Sequence, residues 1–342
     1  MEISSLSSIR LVLQPAVNLL QIIIISLICA VSLPSFAEHL EPPTAIKVNV
    51  LSPFSTEQER ALLYSFRKTL LDEYNIEASE TLIFWQRQPN WQQQLEQNQP
   101  DLIVAIGNDS YNKVKELELS APVLAMMLSK DLLQQLRQHP RDNIYAITHT
   151  QPSDRFVQLA KSLNVYQAQI GSFISPQIKD QIHEFEQLAR FYDLTYRPVI
   201  VEPKRKGRDA IRQLSLCCSV ILLESDFVYR PGKVRKSILV NAYRQRIIVI
   251  AHSESVLKEG AMLTLFTQPH DIGKQGATLY SQILSDSVSE PYQYPTSFSI
   301  SINRKIARLL GYDDLKVGAL MRKVETLDFI QKSMGNGKMQ TP

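Results

Sequence analysis

The sequence predicts an α/β protein of two Rossmann-like parallel-sheet lobes. Three observations carry this reading. Short apolar runs alternate with helical patterns from Ile46 onward. Most of these runs are continuously apolar, as expected where a parallel sheet is covered on both faces. There are about eleven of them, too many for one small doubly wound sheet and suited to two sheets of about five strands each. The chain has 342 residues, 44% hydrophobic and 21% charged, which gives each lobe room for its own core.

In order, strands are expected at 46–51, 81–85, 101–106, 122–128 and 143–147, with helices at 57–71, 91–96 and between the third and fourth strands. Thr56 suits the cap of the first helix, where Ala61, Leu62, Phe66 and Leu70 fall near one face. The rhythm then repeats. Strands are expected at 165–170, 195–201, 219–223, 247–251, 261–266 and 297–302. Helices are expected at 154–163, 177–192, 207–216, 233–246, 270–284 and 304–310. Trp85 and Trp91 read as packing residues and Gly260 as a tight turn. The segment 331–342, with Gly, Lys, Gln and Pro, reads as a flexible tail.

The N-terminus reads as a secretory signal peptide over residues 1–37. Arg10 supplies positive charge, an apolar run follows from Leu19 to Leu33, and Ser35-Phe36-Ala37 fits cleavage after Ala37. The run is short of the roughly 20 residues that a bilayer helix needs. The expected location is therefore periplasmic. Cys217 and Cys218 are adjacent, so a bond between them would close a strained ring, and they read as small buried hydrophobes. No metal-ligand spacing accompanies them.

The net charge of +3 argues against nucleic acid as a partner. No Gly-x-Ser-x-Gly elbow, His-Glu-x-x-His site or Gly-x-Gly-x-x-Gly loop occurs, so no enzyme, cofactor or metal is expected. Open α/β sheets bind ligands beyond the C-terminal ends of their strands. That rule selects Ser52, Pro53, Gly107, Asn108, Asp109, Ser172, Glu224, Asp226, Tyr229, His252, Ser253 and Thr267. The ligand-binding set expected from it is Ser52, Gly107, Asn108, Asp226, Tyr229 and Ser253. Gly107 allows close backbone approach, Asn108 donates and accepts, Asp226 accepts from a cation or hydroxyl, and Tyr229 offers a flat wall. Each has a plainer alternative: a turn with an Asn/Asp cap at 107–109, a helix cap at Asp226, a surface aromatic at Tyr229 and a strand end at Ser253. Arg155 reads as a helix-surface arginine.

The stretch Asn241 to Ala261, with Val256-Leu257-Lys258-Glu259-Gly260-Ala261, resembles the substrate-binding proteins of ABC transporters. Asp271 to Gly276, Ser301 to Gly311, the acidic residue and tyrosine of Glu224 to Arg230, and Gln151-Pro152-Ser153-Asp154-Arg155 add to the likeness, which is strongest over 219–310. The resemblance implies the type 1 periplasmic-binding-protein fold, with the lobes joined by a hinge of three crossings. These are expected near 148–151, 251–253 and 285–294. Lobe 1 would then hold 45–150 and 261–284, and lobe 2 would hold 151–250 and 295–312. The implied function is capture of a small-molecule solute, by a monomer serving an ABC permease. A sensory binding protein for a membrane receptor or kinase and an exported scaffold with a degenerate cleft are the alternatives.

Overall fold

The computed structural model describes residues 42–97, 99–165, 169–174, 182–201, 212–214, 216–223 and 232–337. The first lobe opens with β1 (Thr44–Ser52), whose last five residues are all buried. Helix α1 (Glu57–Tyr74) follows. It starts at a capping box: the Thr56 hydroxyl accepts from Glu59 N at 3.1 Å and the Glu59 carboxylate accepts from Thr56 N at 2.8 Å. It ends where Asn75 turns left-handed at φ 54°. Then come β2 (Ile76–Phe84), α2 (Trp91–Glu96), β3 (Leu102–Ile106), α3 (Gly107–Val114), β4 (Val123–Leu128), α4 (Lys130–Gln138) and β5 (Ile144–Thr148).

The second lobe begins with α5 (Ser153–Ser162), β6 (Gln169–Ile174), α6 (Ile182–Phe191) and β7 (Thr195–Ile200). It continues through β8 (Val220–Leu223), α7 (Gly232–Arg244), β9 (Ile248–Ala251), α8 (Glu254–Glu259) and β10 (Leu263–Phe266). The chain then returns to the first lobe with α9 (Pro269–Leu284) and β11 (Tyr292–Gln293). It ends on the second with β12 (Ser299–Ile302), α10 (Arg304–Leu310) and α11 (Val317–Gly337).

Two six-stranded sheets result, in the orders β2-β1-β3-β4-β5-β11 and β7-β6-β8-β9-β10-β12. The first is parallel throughout. The second is parallel except for β12, which runs antiparallel to β10. Both faces of each sheet are packed. In the first sheet Val48 and Val50 meet Leu62 and Phe66 of α1 on one side, while Leu51 and Ile103 meet Leu95 and Leu133 on the other. This two-sided burial is why the strands read as unbroken apolar runs.

Four expectations are corrected. Residues 261–284 do not go together to the first lobe. Strand β10 pairs with β9 in the second sheet (Leu263 opposite Ile250), because the six-residue α8 returns the chain directly beside the strand it left. Only α9 crosses back, where Ser65 Oγ of α1 donates to His270 O at 2.7 Å. Consequently the second crossing lies at 267–268, between β10 and α9, and 251–253 stays within the second lobe. The segment 285–291 remains in the first lobe, and the third crossing is 294–298. Finally, α11 is helical through Gly337, so the expected tail at 331–342 includes ordered helix.

Candidate functional site

A cavity of about 390 Å³ lies at the C-terminal ends of β1, β3, β4 and β5. Its walls include Pro53, Phe54, Leu62, Gly107, Asn108, Met127 and His149. Phe54, on its wall, keeps 46% of its surface exposed. Met127 stands at φ 64°, at a register shift between β4 and β5. Strain of this kind is held only where surrounding structure enforces it.

The expected site residues fall into distinct roles. Gly107 is the first residue of α3 at φ 81° and lines the cavity; an added Cβ would meet nothing within 4 Å, so conformation rather than space favours glycine. Asn108 is clamped to Ser129, the cap of α4: its Nδ2 donates to Ser129 Oγ and its Oδ1 accepts from Ser129 N, both at 2.9 Å. The clamp fixes the amide and leaves one donor and one lone pair for a ligand. Ser52 is buried and faces inward, donating to Glu59 at 2.6 Å and lying 3.0 Å from Phe54 O, so it shapes the loop behind the cavity. Ser253 is the cap residue of α8, with its hydroxyl 3.0 Å from that of Ser255. Asp226 and Tyr229, with Glu224, lie outside the described residues.

Two histidines stand at strand ends, His149 lining this cavity and His252 in the second lobe. His149 follows β5 directly and its Nδ1 lies 3.2 Å from Met127 O. His252 follows β9 directly and its Nδ1 lies 3.0 Å from Leu223 O. A carbonyl partner assigns the proton to Nδ1 and leaves Nε2 as an acceptor. Burial holds both imidazoles below their usual range; His252 is lowered further by the charge of His149. His149 is absent from the residues that the sequence selects, because 148–151 reads there as a crossing. Its place immediately after an apolar strand is the signal that identifies it.

Lys130 is a further residue that sequence reasoning misses. It is 8% exposed, its ammonium is bonded to Ser153 Oγ, and it sits 5.5 Å from the centre of the Phe185 ring in the second lobe. Phe185 stacks on Tyr196 at 5.1 Å, and Tyr196 is bonded to Ser172. A lysine at the first position of a helix opposes the helix dipole, and that local misfit is a sequence signal of another role. Thr267 faces the hinge, accepting from Gln151 Nε2 at 2.6 Å. Arg155 is not on the surface: it is 6% exposed.

Among the described residues no group of three or more His, Cys, Asp or Glu is placed to hold a metal ion, and no helix is long and apolar enough to cross a membrane. No curated protein sequence matches the chain. Among solved structures, the ligand-free, open structure of CD0873, a substrate binding protein with adhesive properties from Clostridium difficile, is similar. It is 17% identical with a TM-score of 0.64, over 79% of this chain and 96% of that one. The ABC domain in complex with L-Trp from Streptococcus pneumonia is 18% identical with a TM-score of 0.52, over 78% and 95%. A conserved domain protein from Vibrio cholerae is 18% identical with a TM-score of 0.53, over 81% and 98%. These likenesses concern the fold: two mostly parallel α/β lobes of the type 1 periplasmic-binding-protein kind. The family model described as ABC transporter substrate binding protein matches residues 85–313, two thirds of the chain, and the protein belongs to that family.

Proposed function

We propose that the protein is exported and captures a small solute between its lobes for delivery to an ABC permease. One observation carries the reading: His149, anchored through Nδ1, lines an apolar cavity at the strand ends of the first lobe, and His252, anchored in the same way, stands at a strand end of the second. A ligand touching both imidazoles makes contacts available only when the lobes approach, which is the condition for ligand-driven closure. The walls of Phe54, Leu62 and Met127 suit a solute with a flat apolar body, and the two Nε2 acceptors suit hydrogen-bond donors on it. Family membership supports binding rather than catalysis as the activity, and an extracytoplasmic location. The signal peptide expected over residues 1–37 supports the same location.

The test is native mass spectrometry of gently purified protein, followed by a thermal-shift screen of amino acids, peptides, sugars and anions. Aromatic amino acids come first, because a neighbour of the same fold was solved in complex with L-Trp. A true ligand at a hundred times its Kd stabilises the folded state by about 2.7 kcal/mol. The Asn108→Ala and His149→Ala variants should lose most of that shift. A ligand that stabilises both variants as well as it does the parent would remove this cavity as the site, and a screen with no binder would overturn capture.

A further inference from the structure

The sequence Gln151-Pro152-Ser153-Asp154-Arg155 joins β5 to α5 at the first crossing between the lobes. Pro152 is the cap residue of α5, Gln151 precedes it and Arg155 lies in the helix's first turn. Arg155 Nη1 donates to Gln151 Oε1 at 2.6 Å, so the two side chains act as one unit. Gln151 Nε2 donates to Thr267 Oγ1 at 2.6 Å, on the second crossing, and to Ser297 O at 2.8 Å, on the third. Arg155 adds Pro295 O at 2.8 Å and Thr296 O at 3.1 Å, again on the third. One pair of side chains therefore bonds all three places where the backbone must bend.

The first lobe holds the third crossing from the other side. Gln275 of α9 donates to Tyr294 O at 3.0 Å and accepts from Thr296 N at 3.0 Å. The C-terminal helix supplies the counter-charge, with Asp328 of α11 4.0 Å from Arg155. We propose that Gln151 and Arg155 are positioning residues for lobe closure, clasping the three crossings so that they bend together, with α11 anchoring the clasp through Asp328.

Energetics favour this over a purely stabilising role. Gln151 is 1% and Arg155 6% exposed. A buried guanidinium adds little net stability compared with apolar packing of similar volume, whereas its directed bonds fix geometry. The pair reaches Thr267, Pro295, Thr296 and Ser297, all on crossing segments that move when the lobes move. Arg155 Nε is buried without a hydrogen-bond partner among the described residues, a donor left over for the other state of the hinge. With the clasp intact, three backbone twists are coupled into one; without it each segment samples its own range.

This inference deepens the capture reading, but its test needs no ligand. Spin labels at Glu57→Cys and Glu254→Cys, exposed positions at the starts of α1 and α8, report the span between lobes by pulsed electron resonance in a Cys29→Ala/Cys217→Ser/Cys218→Ala background. Gln151→Ala and Arg155→Lys should each broaden the ligand-free distance distribution about two-fold. Thr267→Val, which severs only the second crossing, should broaden it less. Ser65→Ala, which removes a hydrogen bond within the first lobe, should lower the melting temperature and leave the distribution unchanged. Distributions in the Gln151 and Thr267 variants that match the parent would overturn the clasp, whatever happens to the melting temperature. The distances are measured without ligand, so a protein that captures nothing still tests the clasp, and the two failures are distinguishable.

Discussion

Replacing Gly273 with alanine should push α1 and α9 apart. A Cβ at Gly273 would stand 2.2 Å from Leu62 O, 3.0 Å from Phe66 N and 3.1 Å from Leu62 C. Carbon meets a carbonyl oxygen comfortably at roughly 3.3 Å, so the helices must separate by about 1 Å. Both clashing partners are helix backbone, and no rotamer change relieves them. The separation loosens Leu62, Phe66, Ile272 and Leu279, all essentially inaccessible to solvent. Overpacking of this kind costs about 3 kcal/mol at its severe end, and alanine's better helix propensity returns about 1 kcal/mol. The expected net loss is about 2 kcal/mol, read from urea unfolding of the first lobe. Gly276→Ala is the control: its Cβ would meet Met126 Sδ at 2.6 Å, and a flexible thioether chain can swing away. That variant should lose under about 1 kcal/mol. Leu62 also lines the cavity, so on the proposed function Gly273→Ala should weaken solute capture as well. A Gly273→Ala protein within about 0.5 kcal/mol of the parent, or milder than Gly276→Ala, would refute the close-packing argument.

The depressed histidines predict a stability slope in mild acid. Below about pH 6.5 the unfolded chain takes up protons that the buried imidazoles of His149 and His252 refuse, so stability is complete above that pH and lost as it falls through the folded values. The slope reaches about 1.4 kcal/mol per pH unit for each histidine. Burial raises the Glu80 and Asp154 carboxyls, which contribute in the opposite sense, so urea unfolding of the parent must be compared with His149→Gln/His252→Gln across pH 7.5 to 5.5. Equal slopes would contradict the assignment. Thr56→Ala breaks the capping box of α1 and should cost about 1 kcal/mol in thermal or urea unfolding, while Thr56→Ser should stay near the parent; an equal loss in both would show that the hydroxyl is not the cause. Burial and the neighbouring Cys217 push the Cys218 thiol up, so iodoacetamide at pH 8 should modify Cys217 first in the folded protein, as read by peptide mass spectrometry. Preferential labelling of Cys218 would reverse that reading.

What the sequence reveals is what local chemistry decides. Strand β3 is five buried residues in a row, and its apolar run marks it at once. Strand β2 is an edge strand whose burial is intermittent, with Glu77, Ser79 and Glu80 within it, so only its last residues resemble a strand and the expected start at 81 is five residues late. The position of Leu263–Phe266 depends on which strand edge it meets, a non-local choice that apolar periodicity does not encode. That Gly107 and Asn108 stand at the end of a strand beside the cavity is legible, because an apolar run stops there. Arg155 is not: its neighbours Pro295 and Thr296 lie about 140 positions away, and nothing near it in sequence announces that a guanidinium there will be enclosed.

The outermost strand on one flank of each sheet comes from the last part of the chain, β11 on the first and β12 on the second. Helix α9, which covers β1, β3 and β4 from one side, is also late. A chain emerging residue by residue from the ribosome therefore holds an unfinished first half until β11 appears and an unfinished second half until α11, whose Leu320 and Val324 join its core, has followed. Neither half can seal itself early, and the two reach their final form almost together, leaving the polypeptide pliable for nearly the whole of its synthesis.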